Sequence, residues 1–473
     1  MEAVRKEIEF KGRIVLLGFG SVGQGVLPLL LRHIDIPPDR IVVIKPQGHG
    51  LEAAREFGVR HIPQAITRAN CRQVLEPHLG AGDFLLNLSV DVSSIALIEL
   101  CQRRGALYLD TCIEPWEGEY LDPSRPPAMR TNYALREAAL ALRRRDAAQP
   151  TAVLTHGANP GLVSHFVKQA LMNIASDTNA SAARPPRERQ DWARLAQRLG
   201  IRTIHIAERD TQSSDARKQP NEFVNTWSVD AFVDEGTQPS ELGWGTHERH
   251  FPPDGARHES GCRAAIYLNR PGAATRVRSW TPLAGPIHGF LVTHAESISI
   301  ADHLTVGDAA APSYRPTVHY AYHPCDDAVL SLHELGGRNW HVQEHKRVLK
   351  DDITSGRDEL GVLLMGHAKN AYWYGSQLTI EQARNLCPYN NATSLQVAAP
   401  VMAAMVWAMQ HPSEGIVEPD DLPFDEVLAR CRPYLGDVVG VYSDWTPLAG
   451  RSWLFEEPLD RDDPWQFRNF RVD

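Results

Sequence analysis

The chain has 473 residues, 43% hydrophobic and 23% charged, which is ordinary globular composition with apolar material for two or three cores. Against 49 basic residues stand 58 acidic ones, a formal charge of −9 with no Lys/Arg-rich stripe, which argues against nucleic acid as a partner. No apolar run approaches the ~20 residues that span a bilayer. The opening residues lack the apolar core of a signal peptide, and the seven cysteines are scattered without a C-x-x-C pair, so a reduced, cytoplasmic protein with no membrane contact is expected.

Up to residue 155, strand and helix alternate. Residues 13–17 form a short apolar run ended by glycines; 22–33 continue at helical spacing and stop before Pro37-Pro38; 41–44 read as a second strand. Residues 83–88 are a third, followed by Ser93-Ser94 as a cap, a helix to Arg104, Gly105 as its stop, and a strand over 106–109. Strands separated by helices of this length imply right-handed crossovers and a parallel sheet. After 152–155 comes the turn Gly157-Ala158-Asn159-Pro160-Gly161, then a helix to Ile174, with 176–189 read as a surface insertion.

From 200 to 330 the pattern changes to short β-rich runs (203–207, 223–229, 264–268, 287–293 and 297–300) between Gly/Pro/Asp turns. The fold class expected is therefore α/β: a nucleotide-binding domain over 1–155 and a second, α+β domain over 156–389 with a mixed or antiparallel sheet. Residues 391–409 read as one long apolar helix, ended by Gly415 and Pro419, that returns (390–412) to complete the first domain; 413–473 remain as a tail packing on both. The hexapeptide Trp-Thr-Pro-Leu-Ala-Gly occurs at 280–285 and again at 445–450, but nothing else repeats at that spacing, and two aromatic-anchored turns account for it.

The loop Gly18-Phe19-Gly20-Ser21-Val22-Gly23 follows the first strand and opens the first helix, the context that a G-x-G-x-x-G fingerprint requires. Gly18 permits the tight turn, Gly20 the approach of backbone to phosphate, and Gly23 close packing of helix on strand, with a pyrophosphate at the positive helix end. This is a Rossmann domain binding a dinucleotide. The acid that usually reads the ribose is missing from the end of the second strand, where Ile44-Lys45-Pro46 stands; Lys45 leaves a 2′-phosphate open, although NAD is the cofactor expected.

Strand carboxyl ends face the ligand crevice of an open α/β sheet, so Asn87, Asp110 with Thr111, and Asn159 are expected at the nicotinamide or substrate. Further polar residues recur in apolar contexts: Asp91, Glu114, His156, Glu208, Trp227, Glu235, His294, Glu296 and Asp358. Each has a plainer reading. Glu208 and Glu296 read as well as ion-pair carboxylates, Trp227 as a core aromatic, and Asn159 as a helix cap. His341 and His345, like His319 and His323, share i, i+4 spacing without a third ligand, so no metal site is read.

Taken in order, the segments GFGSVGQG, NLSVDVSS, YLDTCIEPW, THGANPGLVSHF, HIAERDTQ, FVNTWSVDAFVDEG, GFLVTHAESISI, GRDELGVLLMG, NATSLQVAAPVMAAMVWAM and GIVEPDDLP make the chain resemble the bacterial homospermidine synthases of the saccharopine dehydrogenase-like superfamily. They run from about residue 12 to 422. The resemblance implies NAD-dependent aminobutyl transfer. One putrescine is oxidised to an imine, a second attacks, ammonia leaves, and the retained hydride reduces the product to homospermidine, with spermidine as an alternative donor. It implies binding or proton handling of the amines by Glu114, Glu208, Glu235, Glu296 and Asp358, with Asp91 beside them and Glu208 as the base. By the same resemblance Trp227 offers a ring face to a cation, His294 is a proton shuttle, and Asn159 orients an amine or the nicotinamide amide. A homodimer is implied as well. Val90, just before Asp91, departs from the polar or aromatic residue that the family pattern leads one to expect.

The residue types suit this chemistry, since a dicationic diamine entering a buried site needs carboxylates to offset desolvation. A saccharopine, carboxynorspermidine or lysine dehydrogenase would instead need Arg or Lys for substrate carboxylates, and a non-catalytic NAD-sensing protein would need none of these groups. Both stay open as alternatives.

Overall fold

The computed structural model describes residues 6–48, 50–144, 148–180 and 185–472; residues 181–184 of the expected insertion lie outside the described residues. The apolar runs of the N-terminal part become β1 (Ile14–Leu17), β2 (Ile41–Ile44), β3 (Arg60–Ile62), β4 (Phe84–Asn87), β5 (Leu107–Asp110) and β6 (Gln149–Val153), with α1 (Ser21–His33), α2 (Ser94–Arg104) and α3 (Asn132–Leu140) among them. β1, β2, β4 and β5 are buried along their whole length, as a parallel sheet covered on both faces demands. Ser93 accepts from Ala96 N at 3.4 Å to cap α2, and Gly105, at φ 72°, ends it.

The chain then runs through α4 (Leu162–Asp177), β7 (Thr203–Asp210), α5 (Val229–Thr237), β8 (Pro239–Gly243), β9 (Gly255–Arg257), β10 (Ala265–Pro271), β11 (Arg276–Thr281), β12 (Gly285–Phe290), α6 (Ala295–His303), β13 (Thr317–His323), β14 (Arg357–His367) and β15 (Asn370–Thr379). It closes with α7 (Ala392–Gln410), β16 (Glu414–Val417), β17 (Asp437–Ser443) and β18 (Arg471–Val472). The first sheet has seven parallel strands in the order β16-β6-β5-β4-β1-β2-β3. The second has eleven, β9-β10-β8-β13-β7-β14-β15-β17, with β12 on β13, β11 on β12 and β18 on β11. Within it β7 and β13 run parallel and their other neighbours antiparallel, so the sheet is mixed.

Three expectations are corrected. Residues 297–300, read as a strand, lie inside α6, whose nine residues are all buried; a helix buried all round carries no period to distinguish it from a buried strand. The strand predicted over 223–229 stops at Asn225, and Ser228 caps α5 instead. Residues 413–473 are more than a packing tail: β16 is an end strand of the first sheet, and β17 and β18 belong to the second.

Helix α7 is long and apolar enough to cross a membrane by length and composition, yet it lies inside the protein, against α1. Both copies of the repeated hexapeptide are turns. The first links β11 to β12, and Arg278 on β11 donates to the carbonyls of Pro447 and Ala449 in the second, at 2.7 and 2.8 Å.

The two sheets are tied across their interface by Arg136 of α3, whose side chain is 3% exposed. It donates to both oxygens of Glu418 at 2.6 and 2.7 Å, just beyond β16, and to Asp302 of α6 at 2.9 Å. Removing one partner of such a cluster strands buried charge. Arg136→Met should therefore lower unfolding stability by about 3–5 kcal/mol in chemical denaturation, and a loss below about 1 kcal/mol would show the cluster to be replaceable.

Candidate active site

The glycine loop sits where β1 meets α1. Gly18, at φ +82°, needs its freedom, because a Cβ there would lie 2.5 Å from the Leu88 carbonyl oxygen, and at Gly23 one would press on Phe19 at 3.1 Å. Gly20 is different: a Cβ there meets nothing within 4 Å. The protein itself therefore does not require glycine at that position; the Cβ would fill the cleft in front of α1. That helix has no side-chain cap and no acid in its first turn, which leaves its positive end to an anion. Loop and helix end line a cleft of about 500 Å³ between the two sheets, so the residues present fit a dinucleotide pyrophosphate. Ser21, Val22, Asn87 and Thr111 line it too, and Lys45 and Pro46 stand at its ribose end.

Asp110 is placed differently from the expectation that it would touch the cofactor. It is fully buried below the cleft, accepting from Thr155 N at 2.6 Å and Tyr108 OH at 2.7 Å, and its burial raises it to about 7. It ties the ends of β5 and β6 together, and its neighbour Thr111 reaches the cleft instead.

The turn Gly157–Gly161 carries Asn159 across to the second sheet. Gly161 is at φ +125°, and a Cβ there would lie 2.1 Å from the Gly157 carbonyl oxygen, so only glycine closes the turn. Asn159 Nδ2 donates to Glu208 Oε2 at 3.0 Å, and the Tyr320 hydroxyl donates to the same oxygen. Glu208 lies on β7, next to Tyr322 of β13 and Leu360 of β14. Burial pushes its carboxyl up to about 7, against the pull of the Tyr320 hydrogen bond. Asp358, on β14, does not line the cleft. It is buried behind Glu208, accepts from Thr393 at 2.6 Å, and is held well above the carboxylate range by burial and by Glu208. Asp210 completes this inner group, bonded by Thr226 at 2.7 Å and Gln212 N at 2.8 Å.

A second acidic group surrounds Glu114. Glu114 lines the cleft with its Oε2 lacking a hydrogen-bond partner, and burial with Asp234 and Asp91 around it lifts it well above its ordinary value. Burial, then Asp91 and Asp230, raise Asp234 to about 7. Asp91 sits half-buried in a loop at φ 64° and is raised by burial and Glu117.

His294 caps the approach to α6 between Glu235 Oε2, 2.9 Å from Nε2, and Glu296 Oε1, 3.2 Å from Nδ1. Burial would lower the ring's pKa, but the two carboxylates win and hold it well above 6.5. Both ring nitrogens thus face a carboxylate, the contacts that the shuttle expected of His294 would use. Glu296 is fully buried behind it and does not line the cleft. Trp227 borders the cleft, its Nε1 donating to Tyr322 OH at 3.3 Å.

Sequence reasoning missed Tyr320, Tyr322, Asp210, Asp234 and Thr393. Asp234 had a signal, being the neighbour of Glu235. The tyrosines had none, because only the pairing of β13 with β7, more than 100 residues apart, brings them to Glu208.

The chain matches two family models, the saccharopine dehydrogenase NADP binding domain over residues 14–153 and the saccharopine dehydrogenase C-terminal domain over 157–441. It is 57% identical over 465 residues to a homospermidine synthase of Blastochloris viridis, covering 98% of this chain and 97% of that one. It is 50% identical over 470 residues to that of Mesorhizobium japonicum, again covering 98% and 97%. Among solved structures, the homospermidine synthase of Legionella pneumophila in complex with NAD superposes with a TM-score of 0.92 at 49% identity, covering 99% of both chains.

Since Gly20 is at φ −79°, ψ −151°, any L-residue fits its backbone. Gly20→Val should keep the melting temperature while raising the dinucleotide Kd at least ~10-fold, a loss of about 1.4 kcal/mol or more by calorimetry. Unchanged affinity would mean that the phosphates lie elsewhere.

Proposed function

The chain belongs to the homospermidine synthase family, NAD-using enzymes on a saccharopine dehydrogenase framework, and from that premise we propose how its cleft joins two putrescines into sym-homospermidine with loss of ammonia. The observation that carries the reading is the hydrogen bond from Asn159 Nδ2 to Glu208 Oε2, 3.0 Å, which joins the dinucleotide side of the cleft to a carboxyl poised at about 7.

Putrescine arrives as a dication, and Glu208 takes a proton from the ammonium nearest the Gly18–Gly23 loop. Its distal ammonium is held by Glu114 and Glu235, with Asp91 and Asp234 adding negative charge from behind Glu114. NAD, when bound, accepts a hydride from the amine-bearing carbon and returns it at the end of the cycle. The neutral nitrogen's lone pair becomes the C=N bond of an iminium as the hydride leaves. The ring face of Trp227 offsets that cation, a contact worth about 2 kcal/mol when desolvated. A second putrescine, one of its ammonium groups having released a proton to solvent, adds through that neutral amine to the iminium carbon. Glu208 gives its proton to the original nitrogen and takes one from the added nitrogen, whose lone pair forms the new C=N bond as ammonia leaves; the secondary iminium is then reduced, and Glu208 protonates the resulting amine. Asn159 keeps the Glu208 carboxyl group oriented throughout, and Asp358 and Glu296 act from behind on Glu208 and His294. Spermidine serves as an alternative donor by the same route.

Acidic lining supports amine substrates over the carboxylate-bearing substrates of a dehydrogenase. Homodimeric assembly belongs to the same proposal, supported by the exposed Trp453, Leu454 and Phe455 at 82, 70 and 80%. So does a cytoplasmic location, supported by seven free thiols.

Incubation with putrescine and substoichiometric NAD should yield homospermidine and ammonia in equal amounts with no net NADH. Stoichiometric NADH would make the enzyme a dehydrogenase. Glu208→Gln should cut kcat by ~10²–10⁴-fold and abolish the acid limb of the pH profile near 7.

Raised carboxyl pKa values favour the folded state below their unfolded values, and that stability is lost as pH rises towards about 7 for Glu208 and Asp234. Putrescine should accordingly raise the melting temperature more at pH 8 than at pH 6. An equal shift at both would place the diamine away from these groups.

A further inference from the structure

Tyr320 stands on β13 with 2% of its surface exposed, its ring tilted against His294 at 4.4 Å and stacked on Tyr322 at 5.0 Å and 7°. Its hydroxyl has Glu208 Oε2 as acceptor, the oxygen that Asn159 Nδ2 also bonds at 3.0 Å. Two donors from opposite sides of the cleft thus converge on one carboxylate oxygen. Tyr320 comes from the second sheet and Asn159 from the turn that follows β6.

We propose that Tyr320 is a positioning residue for the reaction: by occupying Oε2 together with Asn159, it leaves Oε1 of Glu208 as the oxygen that exchanges protons with the substrate amine. The proposal rests on Glu208 being the base. It follows from donor and acceptor capacity. A carboxylate oxygen that already accepts from a phenol and an amide in a dry site is a poor proton acceptor, whereas the other oxygen keeps its lone pairs for the amine. Burial and the neighbouring Glu208 keep the phenol protonated far above neutral pH, so the donor and acceptor roles of the pair do not exchange. The donated bond also stabilises the ionised carboxyl group and so opposes the upward push of burial. The stack on Tyr322, itself bonded to Trp227, puts the partner of the base and the partner of the aromatic face side by side on β13.

The test is the pH dependence of kcat/KM for putrescine in Tyr320→Phe, which keeps the ring and its stacking and removes only the hydroxyl. The acid limb should move up by about one pH unit. Activity at pH 7 should fall by roughly 5-fold and recover to near the parent value on the alkaline plateau. Dinucleotide affinity should stay the same. A uniform loss across all pH values with an unmoved midpoint would overturn the proposal, since a merely structural hydroxyl predicts that. Glu208→Gln separates the two levels. If it abolishes the acid limb while Tyr320→Phe leaves the midpoint in place, the positioning role alone fails. If the limb survives in Glu208→Gln, the base assignment fails and the proposal falls with it.

Discussion

Carboxylates taken out of water must be neutralised by protons, by fixed cations or by an incoming ligand, and this constraint governs the acids in and behind one cleft of this protein. Glu208 lines the cleft with Asp210 and Asp358 around it, and Glu114 lines it with Asp91 and Asp234 around it; burial raises every one of them. Leaving several ionised together in a low dielectric would cost many kcal/mol. His294 supplies one resident positive charge and spends it on Glu235 and Glu296. The rest of the deficit is met by protons, which on the proposed function diammonium substrates replace. Affinity for polyamines and readiness to exchange protons with them thus have a single physical source.

That arrangement requires the two halves of the cleft to keep register, because the groove for the dinucleotide belongs to one sheet and most of the acids to the other. Arg136 with Glu418 and Asp302 provides one tie. Glu241 provides another, accepting from the backbone N–H groups of Asn132 and Tyr133 at the start of α3, at 2.7 and 3.1 Å, and from the hydroxyl of Thr293, next to His294. A third joins the rims: Lys350 donates to Gln24 of α1 at 2.6 Å. The Asn159–Glu208 bond crosses the interface at the centre of the cleft and depends on these peripheral ties for its geometry. Misplacement of either half by an ångström would separate base from reacting carbon.

Local chemistry in the sequence was enough for some of this. A glycine fingerprint between strand and helix, the cap at Ser93 with its stop at Gly105, and the buried strands of the parallel sheet all express rules that act over a few residues. Expectations failed where the local pattern misled or was too short to read. Residues 297–300 alternate polar and apolar as a strand would, yet lie in a helix with every face covered, and β16 is too short to announce itself as a member of the first sheet. Site residues divide along the same line. Glu208, Glu114, Glu235 and Trp227 could be named as chemically suitable, while Asp110 looked suitable and is structural, and Tyr320 looked like an ordinary strand aromatic.

The sequence by itself determined that a dinucleotide loop opens the chain, a matter of residue type and short spacing. The link of the acidic and aromatic residues downstream to polyamine chemistry came from the resemblance of the ordered segments to homospermidine synthases. Only the tertiary structure decided which carboxylates share a dielectric, that His294 lies between two of them, and that Tyr320 and Asn159 meet at one oxygen of Glu208. Those are properties of distances between chain segments 50 to more than 100 residues apart, and protonation in a buried site is set by neighbours in space rather than by neighbours along the chain.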